Sequence, residues 1–186
     1  MKLWLLRHAR VVLAPGLCYG ASDVAADEAL TAEGAKAIAP LLPAGVPVRV
    51  SDLRRAQQMH QALRGHRPDL GEALTDPRIR EMDFGTWELQ AWDAVPRAAF
   101  DAWMADFALH RFGGAENVDM LIDRVADALA ATREQVGADG DALWITHAGV
   151  IRSALFLHQQ GHRGIASVSE WPKDAPETGA WTVLNF

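Results

Sequence analysis

Three short apolar stretches in this chain each end on residues that handle anions. Residues 2–6, Lys-Leu-Trp-Leu-Leu, run straight into Arg7-His8. Residues 46–50 are followed by Ser51 and, shortly after, Arg55. Residues 142–146 are followed by His147. Arginine presents a planar fork of donors that matches a phosphate or carboxylate edge, and histidine can donate, attack or take a proton near neutral pH. Two of each around one point make a strong anion site, and a tetrahedral phosphoryl group suits it. Phosphoryl transfer also needs a nucleophile and an acid that protonates the leaving oxygen. His8 can take the phosphoryl group on one ring nitrogen if the other is held by a hydrogen bond. Glu81 is the carboxyl candidate for the acid, in a segment of mixed charge and aromatics from Arg78 to Glu88. Asp83 and Glu88 compete with it. The plain alternative for Glu81 is an ion pair with Arg78 or Arg80.

These residues meet only if the elements before them lie side by side. The apolar runs 2–6 and 142–146 and the β-branched run 46–50 read as strands. Pro47 puts the start of its strand out of pairing or near an edge. Residues 181–186 alternate and form a last strand, and a weak strand lies around Ala73-Leu74. Helical spacing follows Thr31, a candidate N-cap, through Ala35, Ile38, Ala39 and Leu42. Ser51 or Asp52 can cap the next helix, which runs to about Arg64 and holds Arg55 in its first turn, where free backbone N–H groups favour an anion. Residues 97–110 carry one apolar stripe of Phe100, Trp103, Met104 and Phe107. A long amphipathic helix runs from Val118 to about Glu134. His147-Ala148-Gly149-Val150 opens a helix that ends near Gly161. In an open parallel sheet, ligands bind past the carboxyl ends of neighbouring strands, so the three polar endings are expected at one rim.

Composition narrows the classes. The 186 residues suffice for one domain with a sizeable core, and 49% hydrophobic with 23% charged residues is ordinary for a globular chain. The net charge of −6 gives no general attraction to nucleic acid or to an anionic membrane surface. No apolar run is long enough for a transmembrane span or a signal core. The single Cys18 forms no internal disulfide, which fits a cytoplasmic setting. His158 and His162 have metal-like spacing but lack the glutamate of a zinc hydrolase motif. Gly20-Ala21-Ser22 lacks the second glycine of a nucleophile elbow. Neither a P-loop nor a dinucleotide fingerprint occurs.

Six stretches, in order, resemble the histidine phosphatase superfamily, also called phosphoglycerate mutase-like. Leu6-Arg7-His8-Ala9 resembles its Arg-His-Gly signature, Leu30-Thr31-Ala32-Glu33-Gly34 its Leu-Thr-x-x-Gly stretch, and Ser51-Asp52-Leu53-Arg54-Arg55-Ala56 its Ser-x-Leu-x-Arg-Ala stretch. Glu81 to Glu88 resembles its Glu-x-x-Phe-Gly-x-Trp-Glu block, Gly114-Ala115-Glu116-Asn117 a Gly-Gly-Glu-Ser block, and Thr146 to Arg152 its second-histidine motif. The resemblance implies a three-layer α/β/α sandwich on a mostly parallel six-stranded sheet, in a single domain over 1–186 with a helical cap around 88–115. It implies that His8 is phosphorylated, that Arg7, Arg55 and His147 clamp the phosphoryl oxygens, that the Ala148 N–H adds a donor, and that Glu81 protonates the leaving oxygen and then activates water. No metal and no cofactor are implied.

Gly16 to Asp23 resembles the Cys-Tyr-Gly-x-x-Asp loop of α-ribazole phosphatases, which act late in cobalamin assembly. The expected activity is therefore a phosphomonoesterase acting on a small phosphorylated metabolite, with α-ribazole 5′-phosphate as the substrate guess. Tyr19 and Arg10 are substrate-contact candidates. The tryptophans at 87, 92 and 103 suggest a partly non-polar substrate. A phosphoglycerate mutase and a catalytically silent phospholigand-binding protein are the alternatives. Ala9 stands where the family has Gly, Met59 where it has Thr, Leu89 where it has the Gly of Trp-Glu-Gly, and Val24-Ala25-Ala26 lacks the usual Pro-Leu. None of these removes a catalytic group. Oligomeric state is not readable from the chain.

Overall fold

Alternation along two central strands divides the interior into two cores. The computed structural model describes all residues, Met1–Phe186. In β1 (Lys2–Arg7), Leu3 and Leu5 face one side of the sheet, and Trp4 and Leu6 the other. In β4 (Asp141–Thr146), Ala142 and Trp144 join Leu3 and Leu5, while Leu143 and Ile145 join Trp4 and Leu6. Helices α1 (Glu28–Ile38) and α2 (Arg54–His66) cover the second face. Helices α4 (Val118–Val136) and α5 (Ala148–Gln160) cover the first. Each fully buried Leu or Ile contributes about 1.5–3 kcal/mol. A one-residue slip of β1 would exchange both sets at once, so its register is strongly specified.

The sheet order is β3-β2-β4-β1-β5, with β2 at Val48–Val50, β3 at Leu74–Thr75 and β5 at Trp181–Asn185. The first four run parallel to their neighbours and β5 runs antiparallel to β1. The three-layer, mostly parallel architecture is the expected one, but the sheet has five strands rather than six. One edge ends on β3, two exposed residues long, and the other on β5, and no further stretch pairs outside either. No helix is long and apolar enough to cross a membrane.

Several boundaries differ from the sequence expectation for local reasons. Asp27, not Thr31, caps α1, its carboxylate accepting from the Leu30 N–H at 3.0 Å, while the Thr31 hydroxyl donates back to the Asp27 carbonyl. Neither Ser51 nor Asp52 caps α2. Its N-cap is Leu53, with no side-chain cap. Ser51 and Asp52 are drawn off to His147 and Arg80. The helix expected over 97–110 is α3 (Arg97–Ala105) and stops at Asp106, whose backbone leaves the helical region. That turn sends Phe107 into the α4–α5 core and leaves Met104 45% exposed, so the stripe is shorter than its spacing suggested.

Residues 16–18 and 89–92 run against each other. Cys18 N donates to Gln90 O and Leu89 N to Cys18 O, at 2.8 Å each, and Trp92 N donates to Gly16 O at 2.9 Å. Within this pairing Leu89 has a φ of +62°, the one non-glycine residue in the left-handed region. Such a backbone costs an L-residue about 1–2 kcal/mol. Leu89 is half exposed, so little burial offsets that cost. Leu89→Gly is expected to stabilise the fold by up to about 1 kcal/mol after the added freedom of the unfolded chain is counted. A chain of this size would then melt about 2–4 °C higher. An unchanged or lower midpoint in calorimetry would show that the leucine side chain is worth more than its strain.

Candidate active site

Because β2, β4 and β1 are parallel neighbours, their carboxyl ends open on one rim. His8 follows β1, Ser51 follows β2 and His147 follows β4. The His8 and His147 rings lie 5.0 Å apart, both buried. His8 Nδ1 stands 2.6 Å from the Ala9 carbonyl, which can only accept, so the neutral ring carries its proton on Nδ1. Nε2 then presents its lone pair and receives the Arg55 Nε–H at 3.3 Å. The backbone at Ala9 has no positive φ, so the buried alanine sits there without the strain a left-handed turn would impose.

Arg55, in the first turn of α2, is fully buried and held on three sides. Beyond His8, its Nη1 donates to Ser22 O at 2.7 Å and its Nη2 to Gly20 O at 2.6 Å. The Tyr19 ring lies 5.5 Å from the guanidinium carbon. Burial lowers the Arg55 pKa, and Glu81 leads the charges that oppose the shift. Burial, then Arg55, lowers the His8 pKa to about 3. His147 is also held well below the ordinary histidine value, by burial first and then by His8 and Arg55. Its Nε2 is 2.8 Å from the Ser51 hydroxyl, and its Nδ1 is buried without a partner. Arg7 donates through Nη1 to Pro176 O at 3.0 Å, and its Nε is likewise buried and unpartnered.

The three competing carboxylates separate cleanly. Glu88 accepts from the N–H groups of Gly20, Ala21, Ser22 and Phe84 and from the Ser22 hydroxyl, with backbone distances of 2.9–3.1 Å. Asp83 accepts from Gly85 N at 2.8 Å. Glu81 accepts from Met82 N at 3.0 Å and from Gly149 N, in the first turn of α5, at 3.1 Å. The ion-pair alternative for Glu81 fails, because Arg78 pairs with Asp76 and Arg80 with Asp52. Gly149 permits the approach: a Cβ there would lie 2.2 Å from Glu81 Oε1. The Ala148 N–H, also in that first turn, has no intrahelical acceptor by geometry.

Arg7, His8, His147 and Arg55 thus cluster at the rim, with the N-terminus of α5 carrying the Ala148 N–H. Glu81 stands at that helix N-terminus. Arg10 is exposed and lines, with Tyr19, a separate groove of about 580 Å3. Trp103 lines a cavity beside Glu81, whereas Trp87 and Trp92 pack against Phe84 and Phe112 in an aromatic cluster. His158 and His162 do not converge. They meet Phe186 and Phe156 edge-on, respectively.

Three supporting residues went unrecognised from sequence. Ser51 reads as a helix cap but fixes His147. Glu88 reads as a rival acid but organises the loop whose carbonyls hold Arg55. Arg124 reads as the polar edge of an amphipathic helix. Its guanidinium donates to the carbonyls of Arg78, Arg80 and Glu81 and to both oxygens of Glu116, one of which also takes the Asp83 N–H. That charge beside the apolar positions Leu121 and Val125 was the available signal.

Residues 3–181 match the family model of the histidine phosphatase superfamily (branch 1). No curated protein matches the chain in sequence. Among solved structures, a phosphoglycerate mutase from Thermus thermophilus is 25% identical, with a TM-score of 0.69, covering 100% of this chain and 94% of its own. A mycobacterial glucosyl-3-phosphoglycerate phosphatase is 24% identical, with a TM-score of 0.75 over 98% of this chain and 88% of its own. A second mycobacterial hydrolase is 25% identical, with a TM-score of 0.75 over 98% and 80%.

Two outcomes follow from the geometry. A histidine whose folded pKa lies below its unfolded value binds fewer protons folded than unfolded. Its contribution is therefore complete above about pH 6.5 and is lost as pH falls toward about 3. Per histidine the slope is about 1.4 kcal/mol per pH unit. Urea melts from neutral to mildly acid pH should show His8→Asn gaining on the wild type by that slope, and a constant gap would mean that His8 titrates normally. Glu88→Gln removes a charged acceptor from five donors, for an expected loss of about 2 kcal/mol. It should also weaken inorganic phosphate binding about tenfold by releasing Arg55. An unaltered phosphate Kd in calorimetry would mean that Arg55 keeps its place without the loop.

Proposed function

Since the chain belongs to the histidine phosphatase superfamily, we propose that it is a phosphomonoesterase working through phosphohistidine at His8. The single observation that carries the reading is the state of His8: buried, with its proton fixed on Nδ1 by Ala9 O and its Nε2 lone pair turned to Arg55. When a phosphoryl group enters, one of its oxygens takes over the Arg55 Nε–H and frees that lone pair of a neutral imidazole to attack, and burial keeps the ring unprotonated near neutral pH.

In the first step, Nε2 attacks phosphorus as the P–O bond to the alcohol breaks. Arg55, Arg7, the Nδ1 of His147 and the Ala148 N–H hold the three non-bridging oxygens and stabilise the charge that gathers on them. Protonated Glu81 gives its proton to the departing oxygen. In the second step, the Glu81 carboxylate takes a proton from water as that water attacks phosphorus. The P–N bond breaks and free His8 and phosphate return. The N–H groups of Met82 and Gly149 aim the carboxyl group for both roles.

The substrate is a small phosphorylated metabolite, and the chain acts without a cofactor. α-Ribazole 5′-phosphate is the specific candidate, on the strength of the Gly16 to Asp23 loop, whose Gly20 and Ser22 carbonyls hold Arg55. Residues 88–115 act as a cap, and Tyr19 and Arg10 act as substrate contacts from the neighbouring groove. The likeness to a phosphoglycerate mutase favours a second reading, transfer of the phosphoryl group to another hydroxyl instead of water.

The reading is tested by rapid quench with a 32P-labelled ester. Wild type should accumulate acid-labile, base-stable phosphoprotein and release phosphate, and Glu81→Gln should slow turnover by about 10²–10⁴-fold. His8→Ala should do neither. Undiminished hydrolysis by His8→Ala would sink the mechanism. Label passing to an added acceptor alcohol faster than to water would favour the mutase.

A further inference from the structure

The cavity beside Glu81 is built differently from the phosphate cluster. It holds about 200 Å3, room for one substituted ring. Its walls include the rings of Phe84, Trp103, Phe107 and Trp171, and its charged members are Glu81 and Arg152. The ring planes are fixed by their neighbours: Trp103 stacks on Phe112 at 4.5 Å and 20°, and on Phe107 at 5.7 Å and 21°. Trp171 meets Phe107 edge-on at 6.0 Å. Two side chains on this wall carry donors that are buried and unsatisfied, Trp103 Nε1 and Arg152 Nε. Arg152 spends a further nitrogen on Lys173 O at 3.3 Å. A buried donor without an acceptor costs about 1–3 kcal/mol, so two on one small cavity are kept at a cost that a ligand acceptor would remove.

Resting on the phosphomonoesterase reading, we infer that this cavity takes the leaving alcohol, and that the alcohol carries a planar aromatic group bearing a hydrogen-bond acceptor. The leaving oxygen must come within hydrogen-bond reach of Glu81. The rest of the alcohol then extends into the space that Glu81 faces. Ring faces there favour a flat group over a sugar or a glycerol chain. The unpartnered donors of Trp103 and Arg152 select an acceptor on it, and the guanidinium favours an anionic one. Trp103 and Arg152 are thereby specificity-determining residues.

Three esters test this: para-carboxyphenyl phosphate, para-methylphenyl phosphate and glycerol phosphate. Wild type should favour both aryl esters over glycerol phosphate in kcat/KM. The carboxyphenyl-to-methylphenyl ratio should fall about tenfold in Arg152→Met, and severalfold in Trp103→Phe, which keeps the ring and removes the donor. Comparing ratios between variants cancels the intrinsic reactivity of each ester. In parallel, para-hydroxybenzoate should quench tryptophan fluorescence saturably in His8→Ala and lose affinity when Arg152→Met is added. Ratios unmoved by both variants, or no saturable binding, would overturn the inference. Arg152-dependent binding without hydrolysis of any ester would support the aromatic pocket while removing the phosphomonoesterase reading beneath it.

Discussion

The buried guanidinium of Arg55 is the constraint that the rest of the site answers to. A full charge taken out of water costs several kcal/mol unless hydrogen bonds and counter-charges replace the lost solvation. Here the two loop carbonyls of Gly20 and Ser22 replace it on one side, and His8 Nε2 on another. Those carbonyls are useful only if the loop is rigid, and a loop of Gly, Ala and Ser has little intrinsic rigidity. Glu88 supplies it from a distant stretch by taking three consecutive N–H groups and a hydroxyl. Gly20 is required at the closest point, since a Cβ there would lie 1.9 Å from the Met82 carbonyl. The chain of dependence runs from Glu88 to the loop, from the loop to Arg55, and from Arg55 to His8.

Topology does the remaining work. Only three strands need to be adjacent and parallel for His8, Ser51 and His147 to meet, and the order β2-β4-β1 makes them so. The two cores then lock the register from both sides. This is why the site can consist of side chains from four distant segments and still hold distances near 3 Å. The turn leading into the antiparallel β5 adds a second constraint, because Gly179 N donates to the carbonyls of both Arg7 and His8, at 3.2 and 3.0 Å. The end of the chain therefore fixes the backbone of its beginning.

Much of this is legible in the sequence. Apolar runs followed at once by Arg-His, Ser or His locate strand ends, and strand ends locate α/β sites, so the two-histidine, two-arginine cluster could be read from spacing. The motif resemblance picked Glu81 over its rivals. What stayed hidden depends on pairing between segments far apart in sequence. Nothing local says that Glu88 serves residues 20–22, that Ser51 turns to His147 instead of its own helix, or that Asp27 outcompetes Thr31 as a cap. The residue patterns locate all five strands, including the weak one that becomes the two-residue β3, and the sixth strand was implied only by the family resemblance. The shortening of α3 was illegible because the spacing of Phe107 fits a helix as well as it fits the core it enters.

The carboxylates of residues 81–88 show how one short segment divides its labour by donor supply. Each begins as the same functional group. Glu88 meets five donors, and they hold its pKa low despite the opposing burial. Asp83 meets a turn N–H and becomes local scaffolding. Glu81 meets two N–H groups and no arginine side chain, because Arg78 and Arg80 are already committed to Asp76 and Asp52. Arg124 comes close only to the Glu81 backbone carbonyl, so it places the residue without pairing with its acid. The ion pairs of Arg78 and Arg80 act less as a source of stability than as a way of turning the two neighbouring arginines away from Glu81, so that its main charge partner is the buried Arg55 across the site.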